Sequence, residues 1–186
     1  MGNVTQKEKT DLKEDFKKTS FSKNRNYTLA DRNNEEIIKL RKEVEALKKK
    51  FKTRGFTAGE IIFITILTIL GSIVLAGVIG VIVSANSPAT SPIRSFDFGK
   101  KITKKNRFFK KINNQLKKDY IKAIKRRKKL KFNKSDRKKI KEIQKKLSKK
   151  GYTKIEIAGI MISIVMKIPV KVGIQYVSNL VKTIVK

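Results

Sequence analysis

Along the chain, stretches with apolar residues at helical spacing among charges alternate with stretches that are apolar almost throughout. Within residues 33–54, Ile37, Leu40, Val44, Leu47 and Phe51 follow a 3-4-3-4 spacing. This is the seam of a short coiled coil or the face of an amphipathic helix. Asn33 or Asn34 can cap it, and Glu35 and Glu36 lie in its first turn, where the helix dipole favours acids. Residues 60–84 carry the strongest signal, since Ile61 to Val83 contains only Thr65, Thr68 and Ser72 as polar side chains. A helix of that length spans about 34 Å, enough for a hydrocarbon core of about 30 Å. A chain this small and charged has little with which to bury such a helix all round, so the pattern predicts a transmembrane helix. Thr68, Ser72, Ala76, Gly80 and Ser84 recur every four residues on it. Such a ridge of small side chains allows close helix packing in lipid.

Residues 85–99 include Ser87-Pro88 and Ser91-Pro92 and read as a linker. Residues 100–150 read as a lysine-rich helical domain. Phe109, Ile112, Leu116, Tyr120 and Ile124 mark one helix, and Ile140, Ile143 and Leu147 a second, capped by Ser135 and ended by Gly151. In residues 152–186, Ile155 to Met166 is apolar but too short to span a bilayer, and Pro169 breaks the helix. Beyond it Val170, Ile174, Val177 and Val181 oppose Lys171, Gln175, Ser178 and Lys182. That suits a membrane-associated interfacial helix, with a second, weak span as the alternative. Residues 1–32 are polar and aperiodic and read as a disordered tail. The expectation is an all-α protein with a single transmembrane helix and juxtamembrane amphipathic basic helices, not a compact globular domain. It would be integral to the membrane and single-pass, with the basic domain cytoplasmic or virion-internal.

Charge sharpens the choice of partner. The chain carries 47 basic and 15 acidic side chains, a net charge of +32. Most of the excess lies in residues 85–154, with 27 basic and 4 acidic. Self-repulsion on this scale calls for an anionic partner, either lipid headgroups of the bilayer or nucleic acid. The candidate binding residues are Lys104, Lys105, Arg107, Lys110, Lys111, Lys117, Lys118, Lys122, Lys125, Arg126, Arg127, Lys128, Lys129, Arg137, Lys138, Lys139, Lys145 and Lys146. Each contributes about 1 kcal/mol near an anionic leaflet. Dozens exceed what anchoring needs, which brings in nucleic acid. The chain has no cysteine, histidine or tryptophan, which removes disulfides, thiolate chemistry and the usual proton shuttle near neutral pH. Beyond residue 85 the carboxylates Asp97, Asp119, Asp136, Glu142 and Glu156 form no acid/base pair, so no catalytic residue, metal or cofactor is expected. The expected function is a membrane-anchored scaffolding protein that self-associates or packs against other membrane proteins. A holin-like pore is an alternative.

Two junctions read alike. Arg54-Gly55-Phe56-Thr57-Ala58-Gly59-Glu60-Ile61 and Lys150-Gly151-Tyr152-Thr153-Lys154-Ile155-Glu156-Ile157 each join a basic amphipathic helix to an apolar one. Local helix chemistry accounts for both, with Gly ending one helix and a Thr–Glu capping box opening the next. The first junction also resembles the processing site of type IV prepilins, a basic run followed by Gly-Phe-Thr, two residues, Glu and an apolar helix. The resemblance covers residues 54–83. It would imply cleavage after Gly55, a new N-terminus at Phe56, and a role for Glu60 in subunit assembly.

Overall fold

The long apolar stretch is two helices, not one. The computed structural model describes residues 2–21, 35–84, 107–125 and 133–185. Its helices are α1 (Gly2–Phe21), α2 (Glu35–Thr53), α3 (Ala58–Ile69), α4 (Ser72–Ser84), α5 (Arg107–Lys125), α6 (Lys134–Lys149), α7 (Lys154–Met166) and α8 (Val170–Val185). Between α3 and α4, Gly71 adopts φ +94°, a left-handed backbone that glycine enters without a Cβ clash. The resulting helices of 12 and 13 residues are about 18–20 Å long, short of a hydrocarbon core. No helix among the described residues is long and apolar enough to cross a membrane. The predicted transmembrane helix, the single-pass membrane location and the extended architecture are thus overturned, and the helices pack into a compact bundle.

Its core answers the question of what buries α3. That helix packs on α7, with α5 and α6 on its other sides. Every residue of α7 from Ile155 to Met166 is buried, as are Ile61, Ile62, Ile64 and Ile66 of α3. Two apolar helices bury one another, and amphipathic helices wrap them. Burial of each such side chain stabilises by about 1.5–3 kcal/mol, which opposes the self-repulsion of the charge.

The two halves of the chain share one plan. Gly55 (φ 79°) and Gly151 (φ 82°) are both left-handed, 96 positions apart. The next amide donates back to the helix in each case, Phe56 to the Phe51 carbonyl at 3.0 Å and Tyr152 to the Leu147 carbonyl at 3.2 Å. These are Schellman ends. Thr57 with Glu60, and Thr153 with Glu156, then close capping boxes of the same lengths, 2.8 and 3.2 Å. At the same spacing, Gly71 and Lys167 are the left-handed residues that end α3 and α7. The first helix of each half carries Leu-Lys-x-Asp-aromatic, at Leu12–Phe16 and Leu116–Tyr120.

Packing between the halves is reciprocal. α2 lies on α7 as α6 lies on α3; α1 lies on α7 and α8 as α5 lies on α3 and α4. The equivalent acids do equivalent work at helix N-termini, where the dipole is positive. Asp119 accepts from the Gly59 amide of α3 at 2.8 Å, and Asp15 accepts from the Lys154 amide of α7. The described helices therefore form two interlocked sets of four related by an approximate two-fold.

Several other expectations change for the same reason. Residues 2–21, within the stretch read as disordered, form α1, with Leu12 buried against the core. The seam of α2 (Leu40, Val44, Leu47, Phe51) is buried inside this fold, not in a coiled coil with another copy. In the stretch read as a membrane-associated helix, α7 and α8 instead form a helical hairpin in the core, with Gly159 and Gly173 bringing them into close contact. α6 starts at Lys134 with Asn133 at its cap, and Ser135 lies in its first turn. Tyr176 of α8 is buried and donates to Asn113 of α5 at 2.6 Å.

Candidate polyanion-binding face

α2 and α6 are amphipathic, and their apolar sides are spent on the core. Leu40, Val44, Leu47 and Phe51 point inward from α2, and Ile140, Ile143 and Leu147 from α6. Outward they carry seven and eight basic side chains. The helices run antiparallel, side by side. Arg54 pairs with Asp136 at one end (2.5 Å), and Glu43 with Lys146 further along (3.1 Å). Two shallow open grooves run between them. One, of about 380 Å³, is lined by Glu43, Lys50, Lys139, Glu142 and Lys146 with Ala46, Leu47 and Ile143; the next, of about 330 Å³, by Lys39, Lys146, Lys149 and Lys150 with Glu43, Leu40, Ile143 and Leu147. A third concavity of about 390 Å³ follows the outer side of α6, lined by Lys134, Arg137, Lys138, Lys141, Glu142 and Lys145.

The predicted binding residues divide accordingly. Arg137, Lys138, Lys139, Lys145 and Lys146 come together on this face. Arg107, Lys110, Lys111, Lys117, Lys118 and Lys122 lie on α5, which packs against α3, α4 and α8. The backbone of Lys125 ends that helix, but its side chain lies outside the described ones. Lys104, Lys105, Arg126, Arg127, Lys128 and Lys129 lie outside the described residues. Lys39, Lys50, Lys134, Lys141, Lys149 and Lys150 also line these concavities and are not among the residues predicted from the sequence.

The small-residue ridge does not survive as a unit. Gly71 separates Thr68 on α3 from Ser72, Ala76 and Gly80, which are exposed on α4. The Ser84 side chain lies outside the described ones. Close helix approach occurs at Gly159 and Gly173 instead. At the prepilin-like motif, Gly55 ends α2, Phe56 stacks near Phe51 with ring centroids 5.5 Å apart, and the Glu60 carboxylate is buried in its own capping box. The same joint recurs at Gly151, so the fold itself accounts for the motif.

Two lysines on this surface feel their surroundings. Lys48 donates to the Val165 carbonyl near the end of α7 at 2.7 Å, and burial lowers its pKa, with the charges of Lys52 and Lys167 adding to the effect. The pKa of Lys50 is also lowered, chiefly by the neighbouring Lys139, with Arg54 adding to the effect and Asp136 opposing it. Among the described residues, no group of three or more carboxylates could hold a metal ion. Comparison with protein families, curated proteins and solved structures returns no match.

Proposed function

We propose that the α2/α6 face binds the phosphate backbone of a nucleic acid without reading its sequence, and that the protein acts as a binding and organising module, not an enzyme. One observation carries this reading: two antiparallel basic helices line adjoining grooves in which six lysines outnumber Glu43 and Glu142, above the edges of the core-facing residues Leu40, Leu47, Ile143 and Leu147. Phosphate contacts from lysine and arginine release condensed counterions and dominate nonspecific nucleic-acid affinity. An interfacial lipid-binding helix works differently, since it must insert its apolar face among acyl chains. Here those faces are occupied. Anionic lipid is therefore the weaker candidate.

The test is fluorescence anisotropy of the full chain with duplex DNA and RNA, set beside sedimentation with anionic liposomes, from 50 to 200 mM salt. Six or more phosphate contacts predict an affinity loss of about 10³-fold or more across that range. Sequence should matter little. The joint replacement Arg137→Gln, Lys138→Gln and Lys141→Gln should flatten the salt slope by roughly 0.9 for each contact removed. Binding to liposomes alone, or nucleic-acid binding insensitive to salt, would overturn the reading.

A further inference from the structure

The groove of about 380 Å³ between α2 and α6 has a symmetric lining. Taken 96 positions apart, its residues fall into pairs: Glu43 with Lys139, Ala46 with Glu142, Leu47 with Ile143, and Lys50 with Lys146. The approximate two-fold axis therefore passes through this groove and exchanges α2 with α6. The exposed lysines obey the same axis. Lys42 and Lys49 stand on the side of α2 opposite its buried seam, and their mates Lys138 and Lys145 stand likewise on α6; all four are exposed. The helices are antiparallel, with Glu43 beside Lys146 and Arg54 beside Asp136. Lys42 thus lies toward Lys145 and Lys146, and Lys138 toward Lys49 and Lys50. The face carries two lysine trios, one at each end of the groove, and the axis exchanges them. Seven residues of helix separate Lys42 from Lys49, about 10 Å. Between the trios the groove holds Ala46, Leu47 and Ile143, with the carboxylates of Glu43 and Glu142.

We propose that this face takes a double-stranded nucleic acid, with one lysine trio on the phosphates of each strand and the protein's axis along a dyad of the duplex. This rests on the reading of the face as phosphate-binding and names the class of nucleic acid it takes. The two strands of a duplex run antiparallel, so their backbones are related by two-fold axes perpendicular to the helix. Equivalent phosphates lie on either side of each such axis, and two cationic clusters exchanged by an axis match them. The separation of the trios is on the scale of the B-DNA major groove, about 12 Å wide, across which the two backbones face each other. Contacts of this kind position a duplex without reading its sequence. A single strand offers no such match. Laid along the groove from one trio to the other, its phosphates would pass over Glu43 and Glu142. Nonspecific single-strand sites also combine a basic groove with aromatic rings on which bases stack. Among the described residues no aromatic is exposed, and none lines these grooves.

The test titrates the full chain against a duplex DNA and against one of its strands alone, by anisotropy across a range of salt. Six phosphate contacts predict a log–log salt slope of about −5 for the duplex, and three contacts a slope of about −2 for the single strand. The duplex should bind the more tightly. Two triple variants each remove one trio, Lys42→Gln with Lys145→Gln and Lys146→Gln, and Lys49→Gln with Lys50→Gln and Lys138→Gln. Each should bring the duplex slope to about −3 and remove most of the preference for duplex, and the two should do so equally. A third triple, Lys110→Gln with Lys111→Gln and Lys118→Gln on α5, removes the same charge away from the face and should leave the preference intact. All nine positions are exposed, so the bundle should fold in each variant. Equal or tighter binding of the single strand, a loss confined to one trio, or the same loss from the α5 triple would overturn the proposal. Salt-sensitive binding without a preference for duplex removes this inference and leaves the phosphate-binding function standing. No binding to either nucleic acid removes both.

Discussion

At the residue scale, Asp15 and Asp119 hold equivalent places but are not equally comfortable. Asp119 accepts from both the Gly59 amide and the Gln115 side chain. Asp15 accepts from the Lys154 amide, yet its second carboxylate oxygen is buried with no partner. Burial raises its pKa from 3.8, offset in part by Lys154 and Lys18. The folded state thus holds the proton more tightly than the unfolded state. That contribution to stability is full below the unfolded value and is lost as pH rises through the raised folded one. Asp15→Asn keeps the acceptor for the Lys154 amide and removes the titration. In urea unfolding from pH 3 to 7 it should gain on the wild type as pH rises. Glycine offers a sharper contrast. A Cβ at Gly159 would lie 2.4 Å from the Ile174 Cα, so α7 and α8 would have to separate. A Cβ at Gly80 meets nothing within 4 Å. Gly159→Ala should cost about 1–3 kcal/mol or more, while Gly80→Ala should stabilise by up to about 1 kcal/mol, both read by thermal unfolding.

At the element scale, the two joints show what a sequence reveals readily. Gly55, Thr57 and Glu60, like Gly151, Thr153 and Glu156, act within one or two turns, so their pattern is enough to place a C-cap and a capping box. Thr57→Ala should cost about 1 kcal/mol, a usual capping loss. Thr153→Ala should cost more, toward about 2 kcal/mol, because Thr153 is buried and its hydroxyl also meets Thr19 at 2.7 Å. Equal losses in denaturant unfolding would deny α1 its part in this joint. What was not legible lies beyond a few turns. Ile61 to Val83 has the composition of a span, and only Gly71 marks where it divides, a signal no stronger than Gly77 or Gly80, which stay helical. The seam of α2 shows a face to be buried but cannot name α7 as what covers it. Likewise α1 has few apolar residues, and its order depends on Leu12 and on acids meeting the N-terminus of α7. The basic face was half legible: Arg137 to Lys146 stand out in the sequence, whereas Lys39 and Lys50 join them only through the antiparallel alignment of α2 with α6.

At the scale of the whole molecule, the reciprocal packing dictates how the chain must fold. Each apolar helix finds its covering helix in the other half: α2 lies on α7, α6 on α3, and α3 and α7 on each other. Neither half can close a core alone, because the first would leave Ile61, Ile62 and Ile64 without α5, α6 and α7. At about 1.5–3 kcal/mol per side chain, loss of burial at these three isoleucines alone is comparable with the 5–15 kcal/mol that holds a typical domain together. A chain divided between residues 95 and 96 therefore makes a decisive test. Residues 1–95 and 96–186, produced separately, should each show no cooperative unfolding transition. Produced together, they should co-purify one to one and recover the helical signal and a concentration-dependent melting temperature, as expected when association and folding are one equilibrium. The grooves between α2 and α6 span both pieces, so nucleic-acid binding should return only on mixing. A cooperative transition in either piece alone would mean that the halves are independent units and that the two-fold relation is one of docking. Reassembly without binding would separate the fold from the function proposed for its basic face.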